Sequence, residues 1–254
     1  MNLFGNKKTR ALIIIMCALV LSGIAVSYFY YGNINRSTDP RIVEARTLYG
    51  KYNVYAQHND FDSIFWLMDS IELIYTGFEH YKNSYEVGVL YNNRAASILT
   101  MALFGDRMEI KEQDSLIHQA EIAATKSIDI YQNWLERFED KSAEEIERII
   151  STNFYEGLEK YDTKQKNTYL KNRVKELQES QTETKRRLSV SYTNLGIVER
   201  NKLQYEAAAK CYKKAMDLWD RNLTAENNLN ILLNRPIKKR SFIQKLFPPD
   251  RDKN

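Results

Sequence analysis

The chain has 254 residues, 43% of them hydrophobic and 12% aromatic, with only nine glycines and four prolines; that is enough apolar material for a packed core and too little turn material for a disordered or many-stranded protein. Its formal charge of +4 sits at the ends, with three basic and no acidic residues in 1–31 and seven basic against two acidic in 235–254, so that 32–234 holds four more acids than bases. A body of that sign lacks the basic stripe that neutralises phosphates, which argues against nucleic acid as a partner.

In chain order, Lys7, Lys8 and Arg10 precede an uncharged run from 11 to 31. A helix of that length reaches roughly 30 Å, the thickness of a bilayer's hydrocarbon core. The spacing predicts a single transmembrane helix, with its basic flank on the cytoplasmic side and Tyr28, Phe29, Tyr30 and Tyr31 at the outer interface. A cleaved signal peptide ending near Gly23 and Ala25 is the competing reading. Lipidation at Cys17 is weaker, since Met16 stands where a small residue is needed. An uncleaved anchor is expected, making a single-pass cell-membrane protein whose C-terminal domain lies on the extracytoplasmic side. Cys17 and Cys211 are the only cysteines, so that domain has no internal disulfide.

A linker at 32–40 precedes a helical domain at 41–234, and a basic tail occupies 235–254. Pro40 suits a first helical turn, capped by Thr38 or Asp39, and one helix is expected to about residue 57. Others follow at about 60–80, 82–104 and 112–139. Ser142 and Glu145 have capping-box spacing for a helix to about 159. Residues 164–202 read as one long helix. Leu170, Val174, Leu177, Leu188 and Leu195 follow a 3.5-residue rhythm around a polar middle, which is expected to project and be solvated, or to supply an oligomeric coiled-coil contact. Two further helices follow, at about 203–221 and from Thr224 onward. In the tail, basic residues alternate with Phe242, Ile243, Leu246 and Phe247; membrane contact, disorder and docking on a partner all stay open.

Two stretches a hundred residues apart match: YNNRAAS at 91–97 and YTNLGIV at 192–198. The 34 residues from Ser189 to Asn222 place Tyr192, Leu195 and Gly196 at repeat positions 4, 7 and 8, and Tyr205, Ala208, Tyr212 and Ala215 at 17, 20, 24 and 27. This pattern resembles the tetratricopeptide repeat family. Around the first stretch, Tyr91, Ala95 and Ile98 match positions 4, 8 and 11, and Ala120, Ala124 and Ser127 match 20, 24 and 27, after 13 extra residues. Leu48, Tyr52 and Tyr55, with Phe61, Ile64, Met68 and Ile71, give a weaker third copy. The resemblance implies an all-α fold, a solenoid of antiparallel helix hairpins behind the transmembrane helix, in which Gly196 and Ala208 permit close approach and the tyrosines fill the space around it.

The resemblance also implies that the first helix of each hairpin lines a groove for an extended peptide. Asn93 and Asn194 fall at position 6, and Asn228 follows 34 residues later; with Ile197 and Arg200 these are the groove candidates. An asparagine there grips a peptide backbone or bonds locally. The carboxylate clamp of some family members is not carried over, because position 5 holds Asn92 and Thr193 rather than cations. His58, His80 and His118 are scattered, no metal or nucleotide motif is present, and no cofactor is expected. Sequons occur at Asn35 and Asn222. The expected function is non-enzymatic: a membrane-anchored module that binds another protein or a peptide segment, as in single-span helical-repeat proteins of secretion or envelope assembly. The alternative is an oligomeric scaffold built through 164–202.

Overall fold

A computed structural model describes residues 38–105 and 108–239, and every regular element in them is α-helical. The expected anchor at 11–31, Cys17, Asn35 and the tail beyond Lys239 lie outside the described residues. No described helix is long and apolar enough to cross a membrane.

Nine helices occupy the described residues: α1 Val43–Tyr49, α2 Tyr52–Gln57, α3 Phe61–Thr76, α4 Tyr85–Phe104, α5 Ile110–Phe138, α6 Ala143–Phe154, α7 Thr163–Asn201, α8 Tyr205–Leu218 and α9 Leu223–Leu232. The single helix expected up to residue 57 is two, broken at Gly50 and Lys51. Asp39 caps the turn before α1 rather than α1 itself: its carboxylate accepts from the Arg41 amide at 3.0 Å. The capping box at Ser142 and Glu145 is present, and Asp162 with Gln165 forms a second one at the start of α7. At the ends of α2, α7 and α9, Asn59, Leu203 and Asn234 take left-handed conformations that turn the chain.

Helices α4 and α5 form a long antiparallel hairpin, and α7 and α8 a second one. The 13 extra residues of the first hairpin lengthen its helices, to 20 and 29 residues. Helix α5 packs on α7, α4 touches α7, α3 lies against α4, and α9 against α8. The long helix does not project with a solvated middle. Its Val174, Leu177 and Leu188 are buried with α5 and α6 side chains in the largest apolar cluster, Thr184 is inaccessible, and Gln181 donates to the Lys141 carbonyl at 2.9 Å.

The close approach within each hairpin is made by a glycine under a tyrosine ring. A Cβ on Gly196 would stand 2.5 Å from Tyr212 Cε1, and one on Gly88 2.6 Å from Tyr131 Cε1. Ala95 packs with Ala124, a register position, and with Ala123, which is not one, while Ala120 lies in the neighbouring cluster with Ile98 and Leu99. The glycine–tyrosine contact of the first hairpin therefore lies two turns away, where its longer helices continue. Ala208, Tyr212 and Ala215 are fully buried; Tyr205, expected to fill packing space, is 54% exposed.

Both ring hydroxyls, of Tyr131 and Tyr212, are buried without a hydrogen-bond partner among the described residues. Gly196→Ala is expected to cost about 1–3 kcal/mol through overpacking, although alanine is about 1 kcal/mol the better helix former. Tyr212→Phe is expected to leave stability unchanged or raise it, since an unpaired hydroxyl contributes no bond. Chemical denaturation of the full-length chain in detergent measures both.

Candidate functional site

The groove candidates sit on α4, α7 and α9, and each has a partner within the chain. Asn93 Nδ2 donates to the Tyr49 hydroxyl at 2.9 Å, tying α4 to α1. Asn194, 8% exposed, donates from Nδ2 to Asn92 Oδ1 at 3.0 Å. Arg200 donates to Asn228 Oδ1 at 2.9 Å, and Asn228 Nδ2 donates to the Thr224 carbonyl at 2.9 Å. Ile197 is half-buried between the cluster under the α4–α5 tip and the α8–α9 cluster. Of the five candidates only Arg200 and Asn228 are joined to one another; Asn93 and Asn194 bond other residues, Tyr49 and Asn92, so the set is spread over three helices rather than gathered at a point. Each amide keeps spare capacity, since an asparagine offers two donors and an acceptor with two lone pairs.

Around Asn92 and Asn194 small hydroxyls join the helices. Ser191 Oγ lies 3.0 Å from Asn92 Oδ1 and 2.9 Å from Ser127 Oγ, which is itself 2.9 Å from the Gly88 carbonyl. Ser189 donates to the Ala215 carbonyl at 2.7 Å. Asn222, read from sequence as a sequon, is 3% exposed. Its Oδ1 accepts from the Ala225 amide at 3.0 Å as the cap of α9, and its Nδ2 reaches Ser189 Oγ at 2.7 Å and Thr193 Oγ1 at 2.9 Å. Sequence reasoning gave Asn92 and Ser127 only as repeat positions, and missed Ser191 and the structural role of Asn222. The one signal available was Asn222 itself, an asparagine set just before a helical run.

At the other end of α7 is a buried ionic junction. The Arg173 guanidinium, whose side chain is 2% exposed, reaches Glu86 at 2.5 and 3.1 Å and Glu176 at 3.2 Å. Its Nε donates to His80 Nε2 at 3.2 Å, and its cation lies 4.6 Å from the centre of the Tyr81 ring. Glu176 also holds Arg46 of α1 at 2.7 Å. Beside this junction, Arg41 binds Asp39 and donates to the Phe154 and Glu156 carbonyls at 2.7 and 2.5 Å, while the Tyr81 hydroxyl donates to Asp39 at 2.8 Å. A polar cleft bordered by Asn83, Arg137 and Asn153 opens on Arg173. Every arm of that guanidinium is already committed, so the cleft is a joint between elements.

Burial alone would raise the Glu86 carboxyl; the charge and hydrogen bonds of Arg173 outweigh it and hold it at about 2. Burial, then the charges of Arg173 and Arg41, push His80 from 6.5 down to about 3. Its neutral Nε2 can then accept the Arg173 proton donor. Burial and the Glu199 charge push the Cys211 thiol up to about 11, which makes it a protonated packing group near neutral pH. His58 bonds the Val54 carbonyl, and His118 pairs with Glu121 on the surface. Among the described residues no group of acids, histidines and cysteines is placed to hold a metal ion.

No protein-family model, curated protein or solved structure matches the chain.

The junction dictates how stability depends on pH. Unfolded His80 takes up its proton near 6.5 and the folded group only near 3, so stability declines as pH falls through that interval. Glu86 adds a second loss as pH falls from 4.5 towards 2. His80→Asn keeps an acceptor for Arg173 and is expected to flatten the decline between pH 6.5 and 4.5 while leaving the steeper loss below it. Glu86→Gln is expected to cost about 3–5 kcal/mol at neutral pH, because it strands a buried cation. Denaturant titrations across pH 3–8 read both; a wild-type decline in the upper interval that persists in His80→Asn would refute the assignment.

Proposed function

We propose that this chain is a non-enzymatic protein-binding module of tetratricopeptide type, held at the outer face of a membrane by the expected anchor at 11–31. Its stacked hairpins form a solenoid, and its partner is another protein or an extended peptide segment; secretion or envelope assembly is the setting this architecture suggests. The observation that carries the reading is a pair of polar side-chain bonds between helices, Asn194 to Asn92 across α7 and α4 and Arg200 to Asn228 across α7 and α9. Asparagines that keep donor capacity, as Asn93 and Asn228 do, suit a grip on main chain rather than on one side chain.

The alternative, an oligomeric scaffold through the long helix, has less support. The seam residues Leu170, Val174, Leu177 and Leu188 are buried within a single chain, leaving no apolar stripe there for a second copy.

The test is photo-crosslinking in intact membranes from Asn93 and from Asn201, which is exposed one turn beyond Ile197. Adducts are expected from both positions and not from Lys213, an exposed residue of α8. Equal labelling from all three would remove the groove from consideration.

A further inference from the structure

Helix α9 is the last described helix; it packs on α8 and more lightly on α7, and the chain's own residues 235–239 lie along it. Asn234, with φ of 52°, ends the helix in a left-handed turn, and the Arg235 amide donates to the Asn230 carbonyl at 2.8 Å. Pro236 then prevents the helix from resuming. The non-helical segment runs back along α9 until Lys238 stands level with Glu226 and Asn227.

At that level the Asn227 side chain binds main chain through both of its polar atoms. The Lys238 amide donates to Asn227 Oδ1 at 2.8 Å, and Asn227 Nδ2 donates to the Lys238 carbonyl at 3.0 Å. One strand residue makes the same double exchange with its opposite number in an antiparallel sheet. Lys238 Nζ lies 2.5 Å from Glu226 Oε1. Ile237 is 59% exposed, so apolar burial contributes little to the grip. Two of the three contacts are indifferent to which side chain the bound residue carries, and the third selects a cation.

We propose that Glu226 and Asn227 form a binding site for an extended basic peptide segment of a partner protein, and that residues 235–239 are its resident occupant. The proposal deepens the protein-binding reading by giving one position a ligand class. The site is built to exchange. The Lys238 and Glu226 side chains are 63% and 31% exposed, and contacts of this kind are each worth about tenfold or less in a binding constant. Tethering compensates for that weakness: a segment attached through a short connection has an effective concentration in the roughly millimolar range, so a micromolar competitor enters only when the resident is weakened or the partner brings further contacts.

The experiment uses full-length protein in detergent micelles and a fluorescent peptide with the sequence of residues 235–242, RPIKKRSF, read by anisotropy. Lys238→Glu repels the resident segment from Glu226 but leaves the site intact, and is expected to bind the peptide at least about tenfold tighter than the parent protein. Adding Asn227→Ala should abolish that gain. So should N-methylation of the peptide at the lysine corresponding to Lys238, which removes the amide hydrogen that Asn227 accepts without changing charge. A peptide carrying glutamine at that lysine should bind the Lys238→Glu protein more weakly than the parent peptide. Melting curves that match between variants exclude loss of fold. Equal affinity of Lys238→Glu and the parent, or full affinity of the N-methylated peptide, overturns the proposal; neither result bears on crosslinking from Asn93 and Asn201.

Discussion

A guanidinium taken out of water sets the terms for this fold. Removing Arg173 from solvent is expensive, and only partners close on several sides offset that cost. Glu86 from α4, Glu176 from its own helix and His80 from the α3–α4 connection supply them. Because Glu176 also binds Arg46, α1 is tied into the same set of charges. Leaving out any charged member exposes the rest to an uncompensated charge, so the junction favours complete assembly over partial docking. It links the N-terminal helices to a helix whose sequence begins more than a hundred residues later.

The opposite part of α7 works by other means. There the helices are held by shape, with Gly196 under Tyr212 and Gly88 under Tyr131, and by short neutral bonds among Ser127, Ser189, Ser191 and Asn222. Asn194 and Asn92 bond within this neutral set, whereas Asn228 takes the Arg200 guanidinium. One helix therefore serves two roles along its length: buried ionic fastening near its first third, and mainly neutral bonding near its end.

How much of this was legible follows the range of the interactions. Helices were legible because burial repeats every 3.6 residues, and the spacing of Gly196 and Tyr212 carries the hairpin because both lie within one local unit. The break after Gly50 was not, since Leu48, Tyr52 and Tyr55 continue the apolar rhythm across it. Arg173 was invisible for a different reason: a basic residue amid Lys171 and Lys175 reads as solvated, and its partner Glu86 is 87 residues away. The asparagines were a mixed case. The sequence put Asn93 and Asn194 at one repeat position, but the bond from Asn194 goes to Asn92, spans 102 residues, and only the packed chain discloses it. Asn222 looked like a modification signal because a three-residue motif carries no information about burial.

Arg41 has a mechanical consequence. The guanidinium clasps Asp39 and two carbonyls at the end of α6, so tension transmitted along the chain from residues before 38 meets this clasp ahead of α1. Such a load enters the body at the α6–α7 elbow, beside the ionic junction, and acts across several bonds in parallel instead of peeling the short first helix away turn by turn. The domain can thus be pulled from its N-terminal side without the weakest helices being the first to yield.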